Sequence, residues 1–236
     1  MPEPSAVCVA FLVYPGVTQL DFTGPAQVLS RLGNATLHFV WKDRAPVPTD
    51  AGFSILPTAT FDEITEADII CVPGGIACVE VMEDEAALAW VRRVGTGASW
   101  VTSVCTGSLI LAAAGLLTGY RAACHWAWRD HLRRFGAEPV AERVVFDRNR
   151  ASGGGVTAGI DFALALTAAI RGEAHARLVQ LALEYDPAPP FDSGSPEQAG
   201  EALVAAYRRR METLAPGREE RIRAVAERAG RRNKRG

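Results

Sequence analysis

Cys105 sits inside VTSVCTGSLILAAAGLL (101–117), between a β-rich apolar run and a run of helical character. A thiol placed where a strand hands over to a helix stands clear of the sheet. It faces the unpaired N–H groups of the first helical turn, and these together with the helix dipole favour the thiolate. The thiolate is the nucleophilic form, so this placement predicts a thiol pKa below the usual ~8.5. Gly107 lets the chain turn tightly, and the Thr106 N–H points where negative charge would develop on a bound substrate. Cys8, Cys71, Cys78 and Cys124 have no such elbow and read as packing residues.

Three further segments carry groups that could serve this nucleophile. PGG at 73–75 ends an apolar run; paired glycines let bare backbone N–H groups approach a ligand, and Gly74, Gly75 and Ile76 are candidate substrate or oxyanion contacts. Asp21 in TQLDFTGP supports two readings. It lies three residues after Thr18, a candidate N-cap, and so suits an acidic N3 position. It also lies between Leu20 and Phe22, where burial would raise its pKa and make it a general acid. His125 in CHWAW could pair with Cys105 and activate it, or could be a packing or cap histidine. Trp126 and Trp128 read as packing residues or pocket walls.

These residues need elements to position them. VCVAFLVY (7–14), TLHFVW (36–41), ADIICVPGG (67–75) and SWVTSV (99–104) are near-continuous apolar strands, and FSILPT reads as a short edge strand. Between them the pattern predicts helices over 19–32, through VMEDEAALAWVRRV, and over 106–116. Strands alternating with helices imply a mostly parallel sheet covered on both faces. In such α/β folds ligands bind beyond the carboxyl ends of the strands. The turns 15–21, 73–76 and 105–107 all fall there and should converge. Further on, HWAWRDHLRRFG, AGIDFALALTAAIRG and AHARLVQLALEY read as helices. VVFDRNRASGGG reads as a strand entering a glycine turn, and DPAPPFDSGSP as a loop or lid. The expected organisation is one α/β domain over 1–206 and a charged helical extension over 207–236. From Arg208 onward there are 11 Lys and Arg against 4 Glu, which reads as a solvated basic helix.

Composition narrows the classes. The chain has 236 residues, 48% hydrophobic, with a net charge of -2. It is apolar enough for a substantial core and gives no global pull toward nucleic acid or an anionic membrane. Residues 94–120 carry no charge, but recurring Thr, Ser and Gly and a turn in the middle argue for a buried strand and helix over a membrane span. Five cysteines without framework spacing suit a reducing cytoplasm. No zinc-ligand spacing is present, so no metal is expected.

YPGVTQLDFTGPAQVL, ADIICVPGG, VTSVCTGSLILAAAGLLTG, HWAW and SGGGVTAGID together resemble the ThiJ/PfpI superfamily, over about residues 7–185. The likeness is strongest to its isonitrile-hydrating branch. The resemblance implies a flavodoxin-like α/β sandwich, a homodimer, a small-molecule substrate and no metal or organic cofactor. It implies Cys105 as the nucleophile on its elbow, Asp21 as the acidic partner from the first βα loop, and Thr106 as a third catalytic residue. The expected reaction is hydration of an isonitrile to an N-substituted formamide through a thioimidate on Cys105. The same nucleophile would also serve amide or thioester hydrolysis, dicarbonyl detoxification, or reversible oxidation in a sensor or small-molecule-binding regulator. In AACHW, Cys124 stands where relatives often carry Thr.

Overall fold

In a computed structural model of the chain, which describes residues 5–233, seven strands form one sheet: β1 (Val7–Leu12), β2 (Ala35–Trp41), β3 (Ala59–Thr60), β4 (Ile69–Val72), β5 (Trp100–Val104), β6 (Val144–Asp147) and β7 (Arg150–Gly153). Their order across the sheet is β6-β7-β5-β4-β1-β2-β3. All neighbours are parallel except β6 and β7, which form an antiparallel hairpin. The central strands β1, β4 and β5 are buried on both faces, as their unbroken apolar runs require. Register is set by those runs: Val9 lies opposite Leu37 on one side and Ile69 on the other.

Helices cover both faces. α1 (Leu20–Leu29) packs against α5 (Ala158–Arg171), which is followed by α6 (Glu173–Ala182). The α1–α5 crossing is tight: a Cβ on Gly159 would lie 3.1 Å from the Pro25 ring, and one on Gly24 would lie 3.1 Å from Ile160. Elsewhere α2 (Cys78–Glu83), α3 (Glu85–Gly97) and α4 (Gly107–Ala113) pack together, joined by α8 (Arg218–Asn233). α7 (Pro196–Leu214) precedes α8.

Several local expectations change. The helix foreseen through VMEDEAALAWVRRV is two, because extended Asp84 ends α2 and its carboxylate caps Ala86 and Ala87 N–H at the start of α3. FSILPT supplies only Ser54–Ile55, paired with Val47–Pro48 outside the main sheet, whose edge is β3. VVFDRNRASGGG is a hairpin turning through Arg148 at φ 54°. The HWAW segment leads into a 3-10 helix, Arg129–Phe135, ended by Gly136 at φ 75°. Thr18 does not cap α1: its hydroxyl donates to Asp50 Oδ2 at 2.7 Å, and Gln19 takes the N-cap position without a side-chain bond.

The uncharged stretch 94–120 is the end of α3, then β5 and α4, wrapped in core. Among the described residues, no helix is long and apolar enough to cross a membrane. Of the extension expected over 207–236, residues 234–236 lie outside the described residues, and the described part packs on the domain. Position 207 falls inside α7, Met211 is buried, and Ile222 and Val225 of α8 join the hydrophobic core. Arg221 ties α8 to α2 through Glu80 and Glu83, at 2.8 and 2.6 Å.

Candidate active site

The three turns expected to converge meet at the carboxyl ends of β1, β4 and β5. Thr18 N–H donates to the Gly74 carbonyl at 2.9 Å. Tyr14, buried after β1, donates its hydroxyl to the Pro73 carbonyl at 3.2 Å. Cys105 follows β5 with φ 58°, in the left-handed region that a residue with a Cβ rarely occupies. That conformation is held from both sides. The Cys105 N–H donates to Gly153 at the end of β7, 3.0 Å away. On the other side α4 starts directly against β4, where a Cβ on Gly107 would drive into the Val72 carbonyl. Strain held by surrounding structure is characteristic of functional sites.

Asp21, in the first turn of α1, is fully buried and turned inward. Its Oδ2 accepts the Gly74 N–H at 2.8 Å. Its Oδ1 is buried with no N–H or O–H donor. Burial raises its pKa to about 7; hydrogen bonds from the Gly74 N–H and the Cys105 thiol pull it down, and the charge on Asp50 pushes it up. The capping role is therefore not the one Asp21 plays; it faces the elbow. Gly74 has no room for a side chain, since a Cβ would lie 2.5 Å from Thr106 N and 2.9 Å from Asp21 Oδ2.

The thiol does not behave as the elbow alone predicts. Burial raises the Cys105 pKa well above the ordinary thiol range and the Asp21 charge adds to this, while the Thr106 N–H opposes them less strongly. Two turns of α4 do not outweigh desolvation beside a carboxylate. The pair therefore rests as a thiol next to a carboxyl group titrating near neutrality, and it titrates as a unit. Ionisation does not separate Cys105 from its peers, because burial also pushes Cys71 and Cys78 up to about 12 and raises Cys124. What separates it is its left-handed elbow, its contact with Asp21 and its access to a cavity.

That cavity measures about 190 Å³. Cys105, Thr106, Gly75 and Ile76 line it on the side of the sheet, and Thr18 and Asp50 come from the loops beyond β1 and β2. His125, Trp128 and Val156 form further walls, and α7 contributes Tyr207 and Met211. The Gly75 N–H foreseen for an oxyanion already donates to Thr106 Oγ1 at 2.9 Å, and that hydroxyl faces the Gly75 carbonyl at 3.0 Å. Thr106 thus locks the Gly-Gly turn to the elbow. His125 shares the cavity but is not paired with Cys105 by a hydrogen bond among the described residues. Its Nδ1 accepts the Ala127 N–H at 3.3 Å, its ring stacks on Tyr207, and burial lowers its pKa to about 4. Its loop is anchored by a buried chain: Ser108 Oγ lies 2.9 Å from Ser103 Oγ and donates to the Ala123 carbonyl at 2.5 Å, and the Ala123 N–H donates to Ser152 Oγ at 2.8 Å.

Tyr207, Met211, Asp50 and Val156 were not singled out from the sequence. The one available signal is the four-residue spacing of Leu203, Tyr207 and Met211, which puts them on one face of the helix. Among the described residues, no group of three or more His, Cys, Asp and Glu side chains is arranged to hold a metal ion.

A parallel α/β sheet with a strained cysteine elbow and a buried carboxyl at its mouth defines a class of cysteine-centred α/β proteins. Within it, the chain belongs to the DJ-1/PfpI family, whose model matches residues 7–169. It is 53% identical over 205 residues to the isonitrile hydratase of Pseudomonas putida, covering 87% of this chain and 90% of that one. It is 34% identical over 100 residues to the deglycase PfpI of Pyrococcus furiosus, covering 42% and 60%. A crystal structure of a ThiJ/PfpI family protein from Pseudomonas syringae superposes with a TM-score of 0.89 at 41% identity, covering 95% of this chain and 92% of that one.

Proposed function

We propose that the protein hydrates isonitriles to N-substituted formamides, with Cys105 as nucleophile and Asp21 as the proton carrier. The observation that carries this reading is the buried Asp21 carboxyl set against the Cys105 thiol at the edge of a cavity, with one carboxyl oxygen already held by Gly74. The likeness to a curated isonitrile hydratase over nearly the whole of both chains supports it.

The terminal carbon of R–N≡C both accepts a nucleophile and takes up a proton. The Asp21 carboxylate removes the thiol proton as sulfur attacks that carbon, then returns it to the same carbon. The product of this step is a thioimidate, R–N=CH–S–Cys105. Asp21, again ionised, takes a proton from water as the water oxygen adds to the carbon, and passes that proton to nitrogen. The tetrahedral adduct loses its hydroxyl proton, the C–S bond breaks, and R–NH–CHO leaves while Asp21 returns a proton to sulfur. Each cycle consumes one isonitrile and one water. Shuttling of this kind typically contributes ~10²–10⁴-fold in rate. Thr106 holds Gly74–Gly75 against the elbow, so it acts as a positioning residue.

The test is formamide formation from a panel of alkyl and aryl isonitriles, followed by NMR. Turnover is expected in the parent, none in Cys105→Ala, and a loss of at least ~10²-fold in Asp21→Asn. Undiminished formamide from Cys105→Ala would end the covalent route.

A further inference from the structure

α7 is nineteen residues long, yet Met211 is its buried residue. Leu203 and Leu214 on the same helix are 54% and 45% exposed. The helix is therefore not held by a broad apolar face. Its contact with the domain centres on Tyr207, which stacks on His125 with ring centroids 5.7 Å apart and meets the Trp126 ring at a tilt, 5.1 Å away. One turn later Met211 enters the cavity that contains Cys105. Most of α7 is exposed, and Tyr207 and Met211 are the residues by which it walls the cavity that holds the sulfur. A break at Gly200, with φ 76° and ψ 163°, separates this part of the helix from the Pro-, Gly- and Ser-rich segment before it.

We propose that Tyr207 and Met211 determine which isonitriles the site accepts, forming an apolar outer wall that favours compact hydrophobic R groups and turns away wide ones; this rests on the hydratase reading. Asp50 and Thr18 supply a polar side, with the Thr18 hydroxyl bonded to the Asp50 carboxylate, and the remaining walls suit an apolar, uncharged guest. Trp128, Val156 and Ile76 offer hydrocarbon surface, and His125 is neutral at physiological pH. A linear N≡C unit reaching Cys105 leaves its R group against the wall, so the width tolerated there controls access to attack. A flexible thioether and a tyrosine held by ring stacking form a surface adjustable by substitution without touching the Cys105–Asp21 pair.

The wall is tested with n-butyl and 2-naphthyl isonitriles on the parent and on Tyr207→Ala, Tyr207→Leu, Met211→Ala and Tyr207→Phe. The parent should prefer the butyl compound. Tyr207→Ala and Met211→Ala should raise the naphthyl-to-butyl ratio of kcat/KM at least tenfold, chiefly through KM. Tyr207→Phe should keep the parent ratio, and Tyr207→Leu, which keeps an apolar side chain of intermediate size but loses the stack, should fall between. An unchanged ratio in both alanine variants overturns the proposal, even if their overall activity drops. A second readout does not need turnover. Alkylation of Cys105 by iodoacetamide and by N-(1-pyrenyl)maleimide is followed by peptide mapping. The bulky reagent should gain at least tenfold relative to the small one in the alanine variants. If the parent hydrates neither isonitrile, the hydratase reading fails on its own. The alkylation ratio then decides the wall: a rise supports it, and no change overturns it.

Discussion

Asp21 carries a buried carboxyl in contact with the Cys105 thiol, with Oδ2 bonded to the Gly74 N–H, and two consequences follow at the scale of this residue. The first concerns rate. Below a pH of about 7 both Asp21 and Cys105 are protonated and no base remains, whereas above it the pair holds one proton and can act. The value of kcat/KM should therefore fall tenfold per unit on the acidic limb, with an apparent pKa near 7 belonging to the pair. That limb should be absent from whatever activity Asp21→Asn retains. The second concerns stability. The folded pKa is raised from 3.8 to about 7, so the stability from proton uptake is fully present below about pH 4. It is lost as pH rises through about 7. The raised pKa corresponds to about 4 kcal/mol at 1.36 kcal/mol per unit. Asp21→Asn should thus be more stable than the parent by about 1–4 kcal/mol at pH 8, with the advantage gone by pH 4, as read from urea denaturation. Equal stabilities at pH 8 would show that the carboxylate is solvated. The cost of holding an ionised Asp21 is a trade of stability for function.

At the scale of elements, the elbow depends on α4 beginning flush against β4. Gly107 makes this contact possible: a Cβ there meets Val72 backbone, which cannot give way as a side chain tip could. Gly107→Ala should cost about 3 kcal/mol, at the upper end for overpacking, and should displace Cys105 from its strained conformation. Gly97, at the end of α3, makes the control because a Cβ there meets nothing within 4 Å. Gly97→Ala should stabilise by roughly 0.5–1 kcal/mol through helix propensity. Urea midpoints for the two variants check both signs, and equal effects would refute the close contact. The elbow was legible in the sequence because an apolar strand, Cys-Thr-Gly and a helical run are local signals. The break at Asp84 was less so: the amphipathic pattern runs through it, and only the extended backbone reveals the cap.

For the whole molecule, the described part of α8 packs into the core. Local charge from Arg208 onward suggests a solvated helix, but Ile222 is 0% exposed, packed where α8 meets α2, α4 and the 3-10 helix. Ile222→Ala should cost about 2–4 kcal/mol by cavity formation, measured by urea denaturation. A cost under about 0.5 kcal/mol, typical of a surface change, would mean that α8 does not dock. The Arg221 pairs with Glu80 and Glu83 fix the orientation of α8 and add little, being largely in water.

The alternation of strands and helices, the converging turns and the cysteine elbow were readable along the chain, whereas the residues alone left Asp21 open between a cap and a buried acid. The readable features arise from short-range pattern: strand periodicity, turn glycines and the handover from β5 to α4. The ionisation of the pair was not readable, because desolvation depends on how many groups from distant segments surround it, and these outweighed the helix dipole. Nor was the identity of the cavity wall: Tyr207 lies about a hundred residues from Cys105 in sequence, and only packing of α7 against the His125 loop brings the two together.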